Sequence, residues 1–187
     1  YDELSTAQKA ALDHDAQGNA DARGADRVNW LRGNEISGLR SRTDSGSLRL
    51  LGDVINGTPQ FVENDSTGYQ LLRSDFLPGD YSAYVLSKET RPELLLVPSN
   101  GGMLHGFDAR TGNELFAYVP GEVLQPVPGE DYSPLSQLTD PTYEHRYLVD
   151  GTPAVSDVLI GGSWKTVAVG SMGVGGRSIF ALDISDP

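Results

Sequence analysis

The sequence contains no cysteine, has few basic residues for its acidic content, and lacks any long apolar run. The absence of cysteine excludes disulfides, thiolate metal sites and cysteine nucleophiles, and it suits either a reducing cytosol or a secreted protein stabilised in other ways. The 26 acidic residues against 14 basic ones leave a net charge of −12, which disfavours nucleic acid and anionic lipid but leaves calcium and basic surfaces open. No stretch approaches the roughly 20 apolar residues of a membrane helix, so membrane insertion is not expected.

The 187 residues fall into two parts of different character. Residues 1–47 are polar and poor in strand formers, and they are predicted to form a partly helical lead-in segment. Ser5 and Gln8 make a capping box ahead of a short helix, and a second helix over 26–32 would end at Gly33. Residues 48–187 are predicted to be mainly β, with strands over 54–62, 94–98, 103–108, 114–119, 154–160, 164–170 and 177–184.

The strand pattern occurs twice along the chain. Residues 56–59, Asn-Gly-Thr-Pro, are echoed by residues 150–153, Asp-Gly-Thr-Pro, and the strands that follow keep the same order. Repeats of about four short antiparallel strands are typical of β-propeller blades, whose usual length is about 40 to 50 residues. The copies begin near residues 52 and 148, and this wider spacing predicts long insertions over 63–93 and 121–147. Two unrelated hairpins are the alternative interpretation.

A turn motif follows the third strand of the first copy. Gly106 allows close packing, Asp108 can accept main-chain N–H bonds across the turn, Gly112 can take a positive φ, and Phe116 can pack against the adjacent blade. The motif resembles the docking repeat of quinoprotein-type propellers, with Gly for the usual Ala and Phe for the usual Trp. Asp183 begins a second copy. The motif indicates a fold and carries no information about chemistry.

The wider pattern resembles the C-terminal propeller of the PilC/PilY family, which comprises type IV pilus biogenesis factors and tip-associated adhesins. The segments that carry the resemblance are 29–33 (NWLRG), 51–59 (LGDVINGTP), 97–108 (VPSNGGMLHGFD), 114–120 (ELFAYVP), 138–147 (LTDPTYEHRY) and 149–153 (VDGTP). The resemblance implies the first two or three blades of a modified propeller on a secreted protein at the bacterial surface, pilus tip or outer membrane. It also implies that the rest of that propeller, or another chain, covers the open sheet edges.

Two separate features suggest calcium. The family's calcium loop is expected beyond the segment that matches residues 180–187, and therefore downstream of this chain. Within the chain, Asp13, Asp15 and Asp21 occupy positions one, three and nine of a calcium-loop spacing, where alternating oxygen ligands suit Ca²⁺. Gly24 stands where the bidentate Glu of such a loop belongs. A solvated acidic linker is the preferred interpretation, and no other cofactor is expected.

The predicted function is that of a non-enzymatic adhesin or pilus biogenesis module, in which a rigid scaffold presents the two insertions to pilin-like subunits or a host surface. Aromatic side chains of the insertions are the candidate contact residues, because tyrosine offers a large area with a polar tip; they are Tyr69, Phe76, Tyr81, Tyr84, Tyr132, Tyr143 and Tyr147. The alternative for several of them is packing of the insertions onto the blades. Two other functions remain open: a quinone-dependent dehydrogenase propeller, and a carbohydrate-binding propeller with Trp30 or Trp164 as a stacking platform.

Overall fold

The computed structural model of the chain describes residues 1–72 and 80–187. Its helices are α1 (Thr6–Leu12), α2 (Gly24–Leu31), α3 (Tyr81–Lys88), α4 (Gly121–Leu124) and α5 (Pro134–Leu138), with 3₁₀ turns at Tyr69–Leu71 and Gly173–Gly175. Its strands are β1 (Thr43–Asp44), β2 (Ser47–Leu48), β3 (Gln60–Val62), β4 (Leu94–Ser99), β5 (Met103–Asp108), β6 (Glu114–Tyr118), β7 (Ala154–Ile160), β8 (Ser163–Ser171) and β9 (Ile179–Asp183). None of the helices in these two ranges is long and apolar enough to cross a membrane.

The strands form three antiparallel sheets, and the predicted mainly β fold is confirmed. β1 and β2 make a small hairpin, β3-β4-β5-β6 make a four-stranded first sheet, and β7-β8-β9 make a three-stranded second sheet. The predicted strand positions agree with the structure except at β3, which begins only at Gln60. The residues before it form the turn of the first repeat, where Pro59 has no N–H to donate to a ladder.

The lead-in residues pack into the protein's main hydrophobic cluster. The predicted capping box of α1 is present, with the Ser5 hydroxyl accepting from the Gln8 amide and the Gln8 side chain accepting from the Ser5 amide. α2 ends just before Gly33, as predicted. Leu12 of α1 and Trp30 of α2 are at most 1% exposed. They share one cluster with side chains of both large sheets.

Helices α4 and α5 lie in the insertion over 121–147 and were not predicted. A local signal for α5 does exist, because Ser133 caps the helix through the Ser136 amide and Pro134 occupies the first turn, where a missing N–H costs nothing. Val123 and Leu135 are completely buried in the main cluster. This insertion therefore contributes to the core as well as to the surface.

The turn at Asp108 has an equivalent first contact at Asp183 in the second sheet. Asp108 accepts hydrogen bonds from the main-chain amides of Arg110 and Thr111 at 2.8 and 2.9 Å, and Gly112 adopts the positive φ of +75°. Asp183 likewise accepts from the amide two residues further on, that of Ser185, at 3.1 Å. Each aspartate therefore closes the turn that ends its strand.

A glycine covered by an aromatic ring lies in each large sheet. A Cβ on Gly106 of β5 would lie 2.3 Å from the ring of Phe116, which packs across it from β6. A Cβ on Gly170 of β8 would lie 2.3 Å from the ring of Phe180 on β9. Tyr118 of β6 connects the two sheets here, because its ring centroid lies 5.0 Å from that of Phe180 on β9. The two sheets therefore share the same glycine–aromatic contact between neighbouring strands.

The two sheets meet through the repeated Gly-Thr-Pro turns. The carboxylate of Asp150 accepts from the Asn56 main-chain amide at 3.1 Å and from its side-chain amide at 2.6 Å. Two residues further along each copy, the amide of Thr58 donates to the hydroxyl of Thr152 at 2.9 Å. The repeats therefore contact each other at equivalent positions, as neighbouring units of one array do.

Substituting Gly106 with alanine should destabilise the protein by about 1–3 kcal/mol, because the added methyl group forces Phe116 off the sheet. Urea unfolding measures this change. The control is Gly121→Ala, where the nearest atom to the new Cβ would lie at an ordinary 3.5 Å. Equal stability of the two variants would contradict the packing argument.

Candidate functional site

The insertion over 63–93 brings three of the predicted contact tyrosines together. The ring of Tyr81, the first residue of α3, lies 5.5 Å from Tyr69, 6.3 Å from Tyr84 and 4.6 Å from Trp164 of β8. Tyr69 also lies 5.2 Å from Trp164. Contacts of this kind contribute about 0.5–1.5 kcal/mol each beyond the area they bury. The cluster anchors the insertion on the second sheet.

A buried charged network lies beside this aromatic cluster. The Asp157 side chain on β7 is 1% exposed and the Lys88 side chain at the end of α3 is 4% exposed, with Nζ 2.8 Å from Asp157 Oδ2. The hydroxyl of Tyr81 donates to the same oxygen at 2.6 Å, and the hydroxyl of Thr166 donates to Oδ1 at 2.7 Å. A buried charge needs partners of this kind, and Asp157 has them on both oxygens.

The surroundings of Asp157 hold it in the charged form. Burial by itself works to raise the pKa of this carboxyl, but the hydrogen bonds from Lys88, Tyr81 and Thr166 and the charge of Lys88 outweigh it, so its pKa is lowered. A low-pKa carboxylate whose oxygens are already engaged is poorly suited to accept a proton from a substrate. The arrangement is suited to holding α3 against the second sheet.

The anchored insertion displays apolar side chains on its outer surface. Leu71 and Leu72, at the end of the 3₁₀ turn, are 84% and 53% exposed, and Leu86 of α3 is 64% exposed. The turn packs against α3. These three leucines are here called the leucine surface. Leu71 and Leu72 end the turn that Tyr69 holds against Trp164, and Leu86 lies on α3, which the Asp157 network holds in place.

The other predicted contact residues lie apart from this cluster. Tyr132 is half-buried in the loop before α5, Tyr143 is half-buried beneath the guanidinium of Arg40 at 4.0 Å from its ring centroid, and Tyr147 is 37% exposed. Tyr81, by contrast, is only 4% exposed. Phe76 lies outside the described residues.

The three predicted calcium ligands are not brought together as a ligand set. Asp13 accepts from the Gly24 amide and the Tyr1 hydroxyl, at 2.9 and 2.7 Å. Asp15 closes its own turn by accepting from the amides two and four residues on. Asp21 is bound by both terminal nitrogens of the Arg27 guanidinium, at 2.8 and 2.6 Å.

Each of these carboxylates therefore has a partner within the protein. In the ranges 1–72 and 80–187, no group of three His, Cys, Asp or Glu side chains is placed to hold a metal.

Neither tryptophan presents an open face for a sugar ring. Trp30 is 1% exposed and carries the guanidinium of Arg42 at 3.7 Å from its ring centroid. Trp164 is 9% exposed and lies against Tyr69 and Tyr81. A stacking platform needs an accessible aromatic face, so the structure does not favour a carbohydrate-binding site at either residue.

The fold defines a class of protein. Two antiparallel sheets that share a glycine–aromatic pair, a turn motif and a reciprocal junction are successive blades of an open, partial β-propeller. The family model of the PilY1 beta-propeller domain matches residues 51–187. The chain belongs to this PilY1 β-propeller family, as the resemblance in its sequence predicted.

Two curated relatives support this assignment. The type IV pilus biogenesis factor PilY1 of Pseudomonas aeruginosa strain PAK is 38% identical over 98% of this chain and 15% of its own length. A PilY1 homolog of Xylella fastidiosa strain Temecula1 is 40% identical over 86% of this chain and 11% of its own length. The crystal structure of the Pseudomonas aeruginosa PilY1 C-terminal domain is 38% identical, with a TM-score of 0.42, over 58% of this chain and 20% of that one. The chain thus spans less than a sixth of these two curated relatives.

Replacing Lys88 with methionine should destabilise the protein by about 3–5 kcal/mol, because it leaves the Asp157 carboxylate buried without its counter-charge. The matched control is Lys165→Met, which removes the exposed Lys165–Asp183 pair and should cost less than about 1 kcal/mol. Urea unfolding of both variants measures the difference. A cost for Lys88→Met no larger than that of the control would show that the buried pair does not anchor α3.

The lowered pKa of Asp157 predicts how acid affects stability. A carboxyl whose pKa is lower in the folded state contributes stability above its unfolded value of 3.8, and this contribution is lost as pH falls through the lowered pKa. The stability gap between the native protein and Asp157→Asn should therefore be widest at neutral pH and narrow below pH 3.8. Urea unfolding across this range measures it, and a gap that stays constant would rule out the linkage.

Proposed function

We propose that this chain is a non-enzymatic interaction module in type IV pilus biogenesis, acting at the bacterial surface through its leucine surface. The observation that carries the proposal is the exposure of Leu71, Leu72 and Leu86 on an insertion anchored by buried groups. Its relatives are named type IV pilus biogenesis factors, which supports this role over a quinone-dependent dehydrogenase. The partner we propose is a pilin or minor pilin, with a host surface as the second candidate.

The physical argument rests on the cost of exposing apolar area. Covering an exposed leucine side chain with a partner gains about 25 cal/mol of free energy for every Å² of apolar surface removed from water. A free loop could fold such side chains inward, but Tyr81 and Lys88 hold α3 in place. Contiguous apolar patches are typical of protein interaction sites, and we propose that Leu71, Leu72 and Leu86 form one.

The edges of the sheets require a second kind of partner. β6 and β9 each pair with a strand on one side only among the described residues. Unpaired edge strands are templates for further pairing. We propose that the remainder of the propeller, or another chain, covers these edges, which leaves the leucine surface free for a pilus component.

The test is made in cells carrying the full-length protein. The double variant Leu71→Asp/Leu86→Asp should lower the number of surface pili while the protein's abundance stays normal, because substitutions at exposed positions change stability by less than about 0.5 kcal/mol. Val174→Asp is the control, since Val174 is 70% exposed on the turn before β9. Electron microscopy counts the pili, and immunogold labelling locates the protein.

Normal pilus numbers in the double variant would refute the leucine surface as the contact site. Gold confined to the periplasm, with pili and cell surface unlabelled, would refute the surface role as a whole.

A further inference from the structure

A small polar cavity of about 210 Å³ lies between α2 and the residues that precede the first sheet. Three arginines and two aromatic rings line it, together with two aspartates and main chain around Gly52 and Gly101. The arginines are Arg40, Arg42 and Arg49, and the rings are those of Trp30 and Tyr143. A concentration of positive charge is unexpected in a protein whose net charge is −12.

Arg42 is buried with part of its hydrogen-bonding capacity unused. The residue is 8% exposed, and its guanidinium donates from Nε to the Trp30 carbonyl at 2.9 Å and from Nη1 to the Leu50 carbonyl at 2.8 Å. Its Nη2 is buried and has no hydrogen-bond partner among the described residues. An unpaired buried donor on a charged group is costly, and native proteins rarely leave one unused.

Arg42 also lies close to a second positive charge. Burial, followed by the charge of Arg40, lowers the pKa of Arg42 to about 10. Neither Arg40 nor Arg42 forms a salt bridge with a side chain in the described ranges, whereas Arg49 is paired with Asp44 at 2.9 Å. The Arg40 guanidinium lies 5.0 Å from the Trp30 ring centroid. Two neighbouring guanidiniums are therefore positioned by aromatic rings and not by carboxylates.

The remaining acidic groups nearby are already engaged. Asp53 accepts from the Asn100 side chain and from His145, both at 2.9 Å. Glu35 accepts from the Arg42 main-chain amide at 2.8 Å and from the hydroxyls of Ser41 and Thr43. The side chains of the lining, three arginines and two aspartates, carry a net charge of +1, and the charge of Glu35 outside the lining also acts on Arg42.

The geometry points to a binding site for a single carboxylate group, with Arg40 and Arg42 as its donors. A planar guanidinium matches a planar carboxylate in shape, and Nη2 is the one nitrogen of the Arg42 guanidinium without a hydrogen-bond partner among the described residues. A lining with a net charge of +1 suits a monoanion better than a phosphate dianion, which Asp53 would also repel. A free carboxylic acid and an acidic side chain of a partner protein share this chemistry.

The site can be monitored through Trp30, whose indole N–H donates to the Arg40 carbonyl at 2.6 Å. The 187-residue chain has two tryptophans, so the ¹H–¹⁵N spectrum of this chain contains two indole signals, and that of Trp164 serves as an internal control. Titration with acetate should shift the Trp30 signal saturably and leave the Trp164 signal unmoved. A Trp30 signal that does not respond to acetate would overturn the proposal.

Two variants separate a specific site from a general effect of charge. Arg40→Gln should weaken acetate binding about tenfold, the loss expected for one charged hydrogen bond. Arg49→Gln, which changes charge equally at an exposed position paired with Asp44, should leave the affinity unchanged. Equal weakening in both variants would overturn the assignment to Arg40 and Arg42. Arg40 is preferred to Arg42 for the test because it is only half-buried.

Further titrations identify the ligand. Inorganic phosphate should bind more weakly than acetate, and tighter phosphate binding would overturn the carboxylate assignment. A short peptide with one glutamate side chain distinguishes the two sources. Tighter binding of the peptide than of acetate would support a partner protein as the source, whereas equal affinities would support a free carboxylic acid.

Discussion

The contact between the two repeated turns is the interaction on which the rest of the structure depends. Asp150 of one repeat receives two hydrogen bonds from Asn56 of the other, and Thr152 receives one from Thr58. These bonds set the distance and register between two sheets that share no ladder. Asn100 reinforces the junction, because its side chain donates to Asp53 and accepts from the Leu148 amide. The other contacts between the sheets, such as that of Tyr118 with Phe180, form at the spacing that these bonds set.

The first insertion is fastened to the second sheet, and this explains why a charged pair is buried there. Lys88 reaches across from α3 to Asp157 on the second sheet, and Tyr81 satisfies the same carboxylate. Tyr69, Tyr81 and Tyr84, which the sequence suggested as contact residues, instead fasten the insertion to the second sheet. The most exposed large hydrophobic side chain among the described residues is aliphatic, that of Leu71 in this insertion.

The lead-in residues distribute charge differently from the chain as a whole. The acidic hairpin before α2 satisfies its carboxylates internally, most strongly where Arg27 binds Asp21 through two bonds. Immediately beyond α2, Arg40 and Arg42 lie on Trp30 with no carboxylate paired to either guanidinium among the described residues. Local geometry thus creates a positive cavity within a strongly acidic protein, because burial and stacking determine which charges remain unpaired.

Local sequence determined the strands, the repeated turns and the cap of α1, since alternation, Gly-Pro turns and a Ser5–Gln8 pair act over a few residues. The sequence also identified the family, because motifs that resemble those of the family occur in the same order along the chain. The cap of α5 had a local signal in Ser133-Pro134, which the polar composition of that insertion obscured. Only the tertiary structure decided that Lys88 meets Asp157, 69 residues away, and that Arg42 stacks on Trp30. Such pairings arise from packing between distant segments, for which a single sequence contains no periodic or local signal.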